Sequence, residues 1–227
     1  MNQAIADIIR NQIEDLDFID KLAGLVAAVT FDMKAPNNTT VQKTFPIACC
    51  VSADDCKEGA YNDLMPDSKY KSVIYFEDKG VTFVKSEGIF KYYISNLRLV
   101  CWLNIEKILD LTCKSENPCT YAAIAIAKII RHLPSHPFNI LPFAKVYFEV
   151  TDQEIRNSSI FSAYTYDEKH SQYLMAPYDY FALNIKTEFA ICMKSVDVYD
   201  ASCIGSSITA DSDLITADND IITADQT

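Results

Sequence analysis

A chain of 227 residues has room for one sizeable domain with an appendage, or for two small domains at most, and a single domain is the expectation. Its 49% hydrophobic and 22% charged residues suit a folded body. A formal net charge of −11 argues against binding a polyanion, sequence-specific nucleic-acid binding included, because nucleic-acid affinity rests mainly on Lys and Arg neutralising phosphates, and favours basic partners or another protein.

The opening run MNQAIADIIRNQIEDLDF carries acidic residues where a secretion signal needs a basic start and an unbroken apolar stretch. The longest apolar run nearby, 22–29, is far short of the roughly 20 residues that span a bilayer. A cytoplasmic product without membrane association is therefore expected, its eight Cys reduced and Cys101 and Cys192 set in strand-like runs.

Over 4–26, Ile5, Ile8, Ile9, Ile13, Leu16, Ile19, Leu22 and Val26 recur three and four apart, with Asp7, Arg10, Glu14, Asp15 and Asp17 off the stripe. That spacing predicts one amphipathic helix, capped by Asn2 and with Asp7 near its positive end. Residues 35–69 contain Pro36, Pro46, Pro66 and Gly59 and read as a long loop around a strand at 43–51. Strands at 72–77, 81–85 and 89–105, parted by Asp78-Lys79-Gly80 and Ser86-Glu87-Gly88, give an antiparallel meander. One face of the third carries Tyr93, Leu97, Leu99, Cys101, Leu103 and Ile105.

Asn117-Pro118 opens a second helix over 121–133 that is apolar nearly all round and so should be buried. Pro134, Pro137 and Pro142 stop it, and a strand follows at 144–150. The Tyr-, Ser- and Asp-rich stretch 151–177 reads as irregular loop. At 181–193 strict alternation predicts a long strand with Phe181, Leu183, Ile185, Thr187, Phe189, Ile191 and Met193 on one face. The opposite face is polar, and because an exposed strand of that length invites pairing, Lys186 and Glu188 are interface candidates. The fold class is α+β: one domain over 1–200 and an acidic arm over 201–227.

The arm repeats a heptad three times, as ITADSDL from Ile208, ITADNDI from Ile215 and ITADQT from Ile222. A coiled coil would place Asp218 in its seam, and the D-x-D pairs Asp211/Asp213 and Asp218/Asp220 lack the glycine of a calcium loop. Two readings stay open: a strand-like arm whose apolar side flips with each odd-length repeat, or a solvated acidic tail. The first makes Ile208, Leu214, Ile215, Ile221 and Ile222 interface residues.

No reaction is spelled out, and no catalytic residue, cofactor or metal is assigned. Cys113, Cys119, His132 and His136 approach a two-Cys two-His zinc spacing, but Pro134 would break the turn that must hold both histidines. Cys49, Cys50 and Cys56 lie beside Asp54 and Asp55, the wrong charge to activate a thiol, and only His132, His136 and His170 could serve as a base. Glu77-Asp78 and Asp54-Asp55 read as solvated turn charges. An enzyme whose Cys and His meet only in the fold, or a zinc-stabilised binding module, are the alternatives to a structural role.

The succession of helix, YFEDKGVTFVKSEGIFKYYISNLRLVCWLNI, TYAAIAIAKIIRHL, AKVYFEV and YFALNIKTEFAICM resembles the connector and tail-terminator ring proteins of tailed bacteriophages. The run IACCVSADDC and the Tyr-rich strands are similar to virion proteins of crAss-like phages of gut Bacteroidales. The resemblance implies a non-enzymatic virion protein, made in the host cytoplasm, that forms a homo-oligomeric ring in the neck or tail. Its partners would be copies of itself and neighbouring ring, portal or tail proteins. The heptad arm departs from that family.

Overall fold

The computed structural model describes residues 2–34, 38–48, 64–109, 121–134, 138–140, 143–166 and 171–193. In it the N-terminal stripe divides between two elements. Helix α1 is Asn2–Ile13 and buries Ile5, Ala6, Ile9 and Ile13, whereas Leu22 and Val26 belong to strand β1, Lys21–Lys34. The single helix expected over 4–26 is thus corrected. Leu22 and Val26 match a helical period, but β1 pairs parallel with β3 (Ser72–Glu87) over Lys21–Val26 and antiparallel with β2 (Thr40–Ala48) over Val26–Lys34, and that pairing outweighs local periodicity. The chain turns between the two elements at Phe18, which is fully buried and meets Tyr121 edge-on at 6.3 Å. Asp20 fixes the entry to β1: its carboxylate accepts from the Lys71 amide at 2.9 Å and its own amide donates to Ser72 Oγ at 3.1 Å. Helix α1 packs so closely over β1 that a Cβ on Gly24 would meet the Gln3 amide nitrogen at 3.0 Å.

The expected meander has two strands where three were read. β3 runs unbroken through Asp78-Lys79-Gly80, and the one turn, at Gly88-Ile89, leads into β4, Phe90–Asn104. Gly80, at φ +97, takes a backbone conformation that glycine adopts without a Cβ penalty, so β3 continues through it, while the Asp78 carboxylate accepts from its amide. Gly88, at φ +57, supplies the positive φ that a tight hairpin turn needs at its first central position. Asn2, read as a cap, is instead a buried bridge inside α1. It donates to Asp78 Oδ1 and accepts from Ser95 Oγ, both at 2.6 Å, which lays α1 on the β4 face that also carries Leu97, Leu99 and Cys101.

After the one-turn helix α2 (Ile105–Ile108), helix α3 is Tyr121–His132; Asn117 lies outside the described residues. It buries Tyr121, Ala122, Ala125, Ile126 and Ile129 but leaves Ile124 exposed, so it is one-sided and not buried all round. Strands β5 (Phe138–Ile140), β6 (Phe143–Ile155) and β7 (Tyr178–Cys192) complete a seven-stranded sheet in the order β2-β1-β3-β4-β7-β6-β5. The polar face expected on β7 is mostly covered. Ala182 and Ala190 are buried, Asn184 and Lys186 partly so, and among the described residues of that face only Glu188 is exposed.

The stretch read as an irregular loop is a packed layer. A 3-10 turn, Ser158–Phe161, and the residues after it bring Ile160, Phe161 and Tyr164 against Val73, Tyr75, Val100, Trp102 and Ala182. Trp102 donates its indole N–H to the Tyr173 carbonyl at 2.6 Å and stacks on Tyr178 at 5.2 Å. The loop expected over 35–69 likewise contains β2, and Leu64 and Met65 are core. The strand expected at 43–51 is β2, three residues earlier at its start; 49–63 lie outside the described residues.

Contacts divide the chain into two units. Unit 1 is Met1–Val81, Ser95–Ser135 and Phe148–Thr187; unit 2 is Thr82–Ile94, His136–Tyr147 and Glu188–Thr227. Inside unit 1 a buried ionic cluster joins three strands. Arg98 of β4 lies 2.8 Å from Glu154 of β6 and 3.7 Å from Glu77 of β3, which also pairs with Lys79 at 2.8 Å and accepts from the Tyr164 hydroxyl at 2.8 Å. Glu77, read as a solvated turn charge, is buried. The same surroundings push the Tyr164 hydroxyl well above its ordinary range, through burial first and the Glu77 charge second.

Removing the cation should destabilise, since Arg98→Met leaves the buried Glu77 carboxylate with Lys79 as its one cation and the partly buried Glu154 with neutral hydrogen-bond donors. A loss of about 1–3 kcal/mol is expected in denaturant titration. At the exposed end of the scale, the Lys128 ammonium sits 2.8 and 2.9 Å from the Asp17 carboxylate oxygens and holds that carboxyl below its ordinary value of 3.8. A lowered folded value stabilises at neutral pH, and the gain disappears as pH falls through the folded value. Lys128→Met should therefore cost less than about 1 kcal/mol near pH 7 and nothing measurable near pH 2, checked by denaturation at both.

Candidate interaction site

Unit 2 carries a surface rich in aromatic and apolar side chains. The Phe83 ring meets Tyr93 edge-on at 5.6 Å, and Tyr93 stacks on Phe189 at 5.6 Å with the planes 13° apart. The Met193 amide donates to the Ile89 carbonyl at 2.8 Å, tying the hairpin turn to the residue after β7. Around this aromatic stack lies a groove of about 590 Å³, whose lining includes Val84, Phe90, Tyr92, Ile94, Tyr147 and Ala190. Phe83 (53% exposed), Val84 (49%), Tyr147 (46%) and Ile89 (42%) stand in solvent beside it. Apolar side chains clustered in this way mark a binding surface, whereas single ones do not.

The rim is charged. Lys85 lies 2.7 Å from Glu87 and 5.0 Å from the centre of the Tyr92 ring, and the Glu87 carboxylate raises the Lys85 ammonium above its ordinary value. The backbone of this hairpin is also unusual. β1 pairs with β3 no further than Glu77, so among the described residues β4 is the only strand beside Thr82–Glu87. The β2 edge of the sheet is handled differently. Thr44 donates to Thr165 Oγ1 at 3.1 Å and accepts from the Thr165 amide at 2.8 Å, and Pro46, two residues on, has no N–H to offer.

Of the residues singled out from sequence, Glu188 lines the groove. Lys186 belongs to unit 1, partly buried and 4.0 Å from Glu149 Oε2. Ile208, Leu214, Ile215, Ile221 and Ile222 lie outside the described residues, as do Asp54, Asp55, Cys49, Cys50, Cys56, Cys113, Cys119, His136 and His170. His132 is exposed at the end of α3, its Nδ1 2.8 Å from the Lys128 carbonyl. Among the described residues no three His, Cys, Asp or Glu side chains group as metal ligands. Sequence reading missed Phe83, Val84 and Tyr147 as site residues. The available signal was the apolar GVTFV run directly after a charged stretch, which alternation alone assigns to an ordinary core strand.

No family model and no curated protein matches the chain.

Cys101 is fully buried, and burial pushes its thiol well above the ordinary range, with the Asp179 charge adding to the effect. A thiol in that state is a poor nucleophile. Iodoacetamide labelling read by peptide mass spectrometry should leave Cys101 unmodified in native protein and label it once denaturant unfolds the chain.

Proposed function

We propose that this chain is a structural virion subunit that assembles through unit 2 into a homo-oligomeric ring of a bacteriophage head-tail connector or tail. The observation that carries the self-association is the aromatic groove of unit 2 with Phe83, Val84, Ile89 and Tyr147 exposed around it. Tyr and Phe are enriched in the cores of protein interfaces, because they bury much area at little cost in rotamer entropy. The ring reading rests on the resemblance of the sequence to connector and tail-terminator subunits, from which the structure departs by placing β1 and β2 between α1 and the β3–β4 hairpin. Further partners would be the adjoining ring, portal or tail proteins.

Light scattering over a concentration series, alone and with neighbouring virion proteins, tests the proposal. A mass of several subunits is expected. Combining Phe83→Ser with Val84→Ser should weaken assembly about tenfold or more while circular dichroism stays unchanged. A chain that remains monomeric under every one of these conditions overturns the reading.

A further inference from the structure

Thr82–Glu87 offers about 20 Å of strand edge at 3.3 Å per residue, with β4 on one side and no described strand on the other. Such an edge takes up an added strand when the sequence of that strand suits the side chains beside it. Two features of the repeats at the C-terminal end of the sequence suit this one.

Charge comes first. The described charged side chains of Thr82–Ile94 and Glu188–Ile191 are Lys85, Lys91, Glu87 and Glu188, which balance to zero, so an acidic strand meets less repulsion there than the chain's charge of −11 would give. The repeats carry Asp211, Asp213, Asp218, Asp220 and Asp225 and no Lys or Arg. Length comes second. One heptad in extended form covers about 23 Å, close to the open edge, while all twenty residues from Ile208 to Thr227 would cover about 66 Å. A single edge is used up by one repeat. Because seven is odd, Ile215 and Ile221 fall on one side of their repeat with Asp218 and Asp220 on the other, and the next repeat presents its isoleucine to the opposite side. Repeats that outrun one edge and alternate their apolar side suit successive subunits better than their own.

We propose that the heptad arm of one copy docks on unit 2 of another: one repeat pairs with Thr82–Glu87 as an added strand and its isoleucines enter the Tyr93–Phe189 groove, with its aspartates on the side turned away from that groove. This rests on the self-association proposed above and names the contact that produces it.

The test uses the full chain with a photoreactive benzoyl-phenylalanine in place of Phe83, prepared in light and heavy nitrogen and mixed in equal amounts. After irradiation, crosslinked peptides should join position 83 to residues 208–227, with light-heavy pairs abundant. Ile215→Asp combined with Ile222→Asp should lower their yield at least about tenfold. Links confined to same-isotope pairs, links to other segments, or a yield unchanged by the arm substitutions overturn the docking. Should scattering still show assembly in any of those cases, self-association stands and only the arm's role fails; a monomer without crosslinks overturns both.

Discussion

Unit 1 depends on a nearly buried cation. Arg98 sits between Glu77 and Glu154, and with Lys79 and Tyr164 it closes a cluster that draws on β3, β4, β6 and the layer after β6. Taking the Arg98 and Glu77 charges out of water costs several kcal/mol, which their pairing offsets. Strand register is therefore tightly specified. A slip of one residue in β4 would turn Arg98 to the opposite face, toward the side that carries Leu97, Leu99 and Cys101, and would expel Trp102 from its stack with Tyr178. Glu77 and Arg98 alternate in phase with Tyr75 and Trp102, so ionic and aromatic packing impose the same register.

The two units differ in how they meet solvent. In unit 1 both faces of β3 and β4 are covered, Val73 and Tyr75 by the aromatic layer and the alternate residues Ile74 and Phe76 buried as well. In unit 2 the same β3 is exposed from Thr82 to Glu87, bearing Phe83 and Val84. The edge at β2 is guarded by Thr165 and Pro46, whereas that of Thr82–Glu87 has no comparable protection among the described residues. A protein that blunts one edge and leaves an apolar one open has a natural place for a partner strand. That contrast, more than any single side chain, is the basis of the assembly reading.

Local pattern was legible where one competing interaction did not intervene. The alternation of Phe181, Leu183 and Ile185 and the apolar spacing of Ala122, Ile126 and Ile129 each became the expected element, because in both cases the buried face is the face the period predicts. The stripe from Ile5 to Val26 misled because spacings of three and four past Ile13 are also compatible with a strand paired first with β3 and then with β2. Asp78-Lys79-Gly80 has turn chemistry, yet Asn2 and the Gly80 amide both bond to the Asp78 carboxylate and carry β3 straight through. The Tyr-rich stretch looked polar, and the partners that make Tyr164 a core residue, Glu77 and Tyr75, lie almost ninety positions away. The candidate site was less legible still: Glu188 was singled out, but Phe83 and Val84 carry no mark in sequence that separates an exposed strand from a buried one.

By itself the sequence determined the α+β class, the two long strands β4 and β7, a helix near the N-terminus and another over 121–132, and the acidic heptads, since each depends on a period or composition within a short window. Only the tertiary structure decided which turn signals would be overridden, which charges would be buried, and which apolar strand would stand open. Those outcomes depend on contacts between residues tens of positions apart, and a one-dimensional pattern records what each residue prefers but not which neighbour is there to satisfy it.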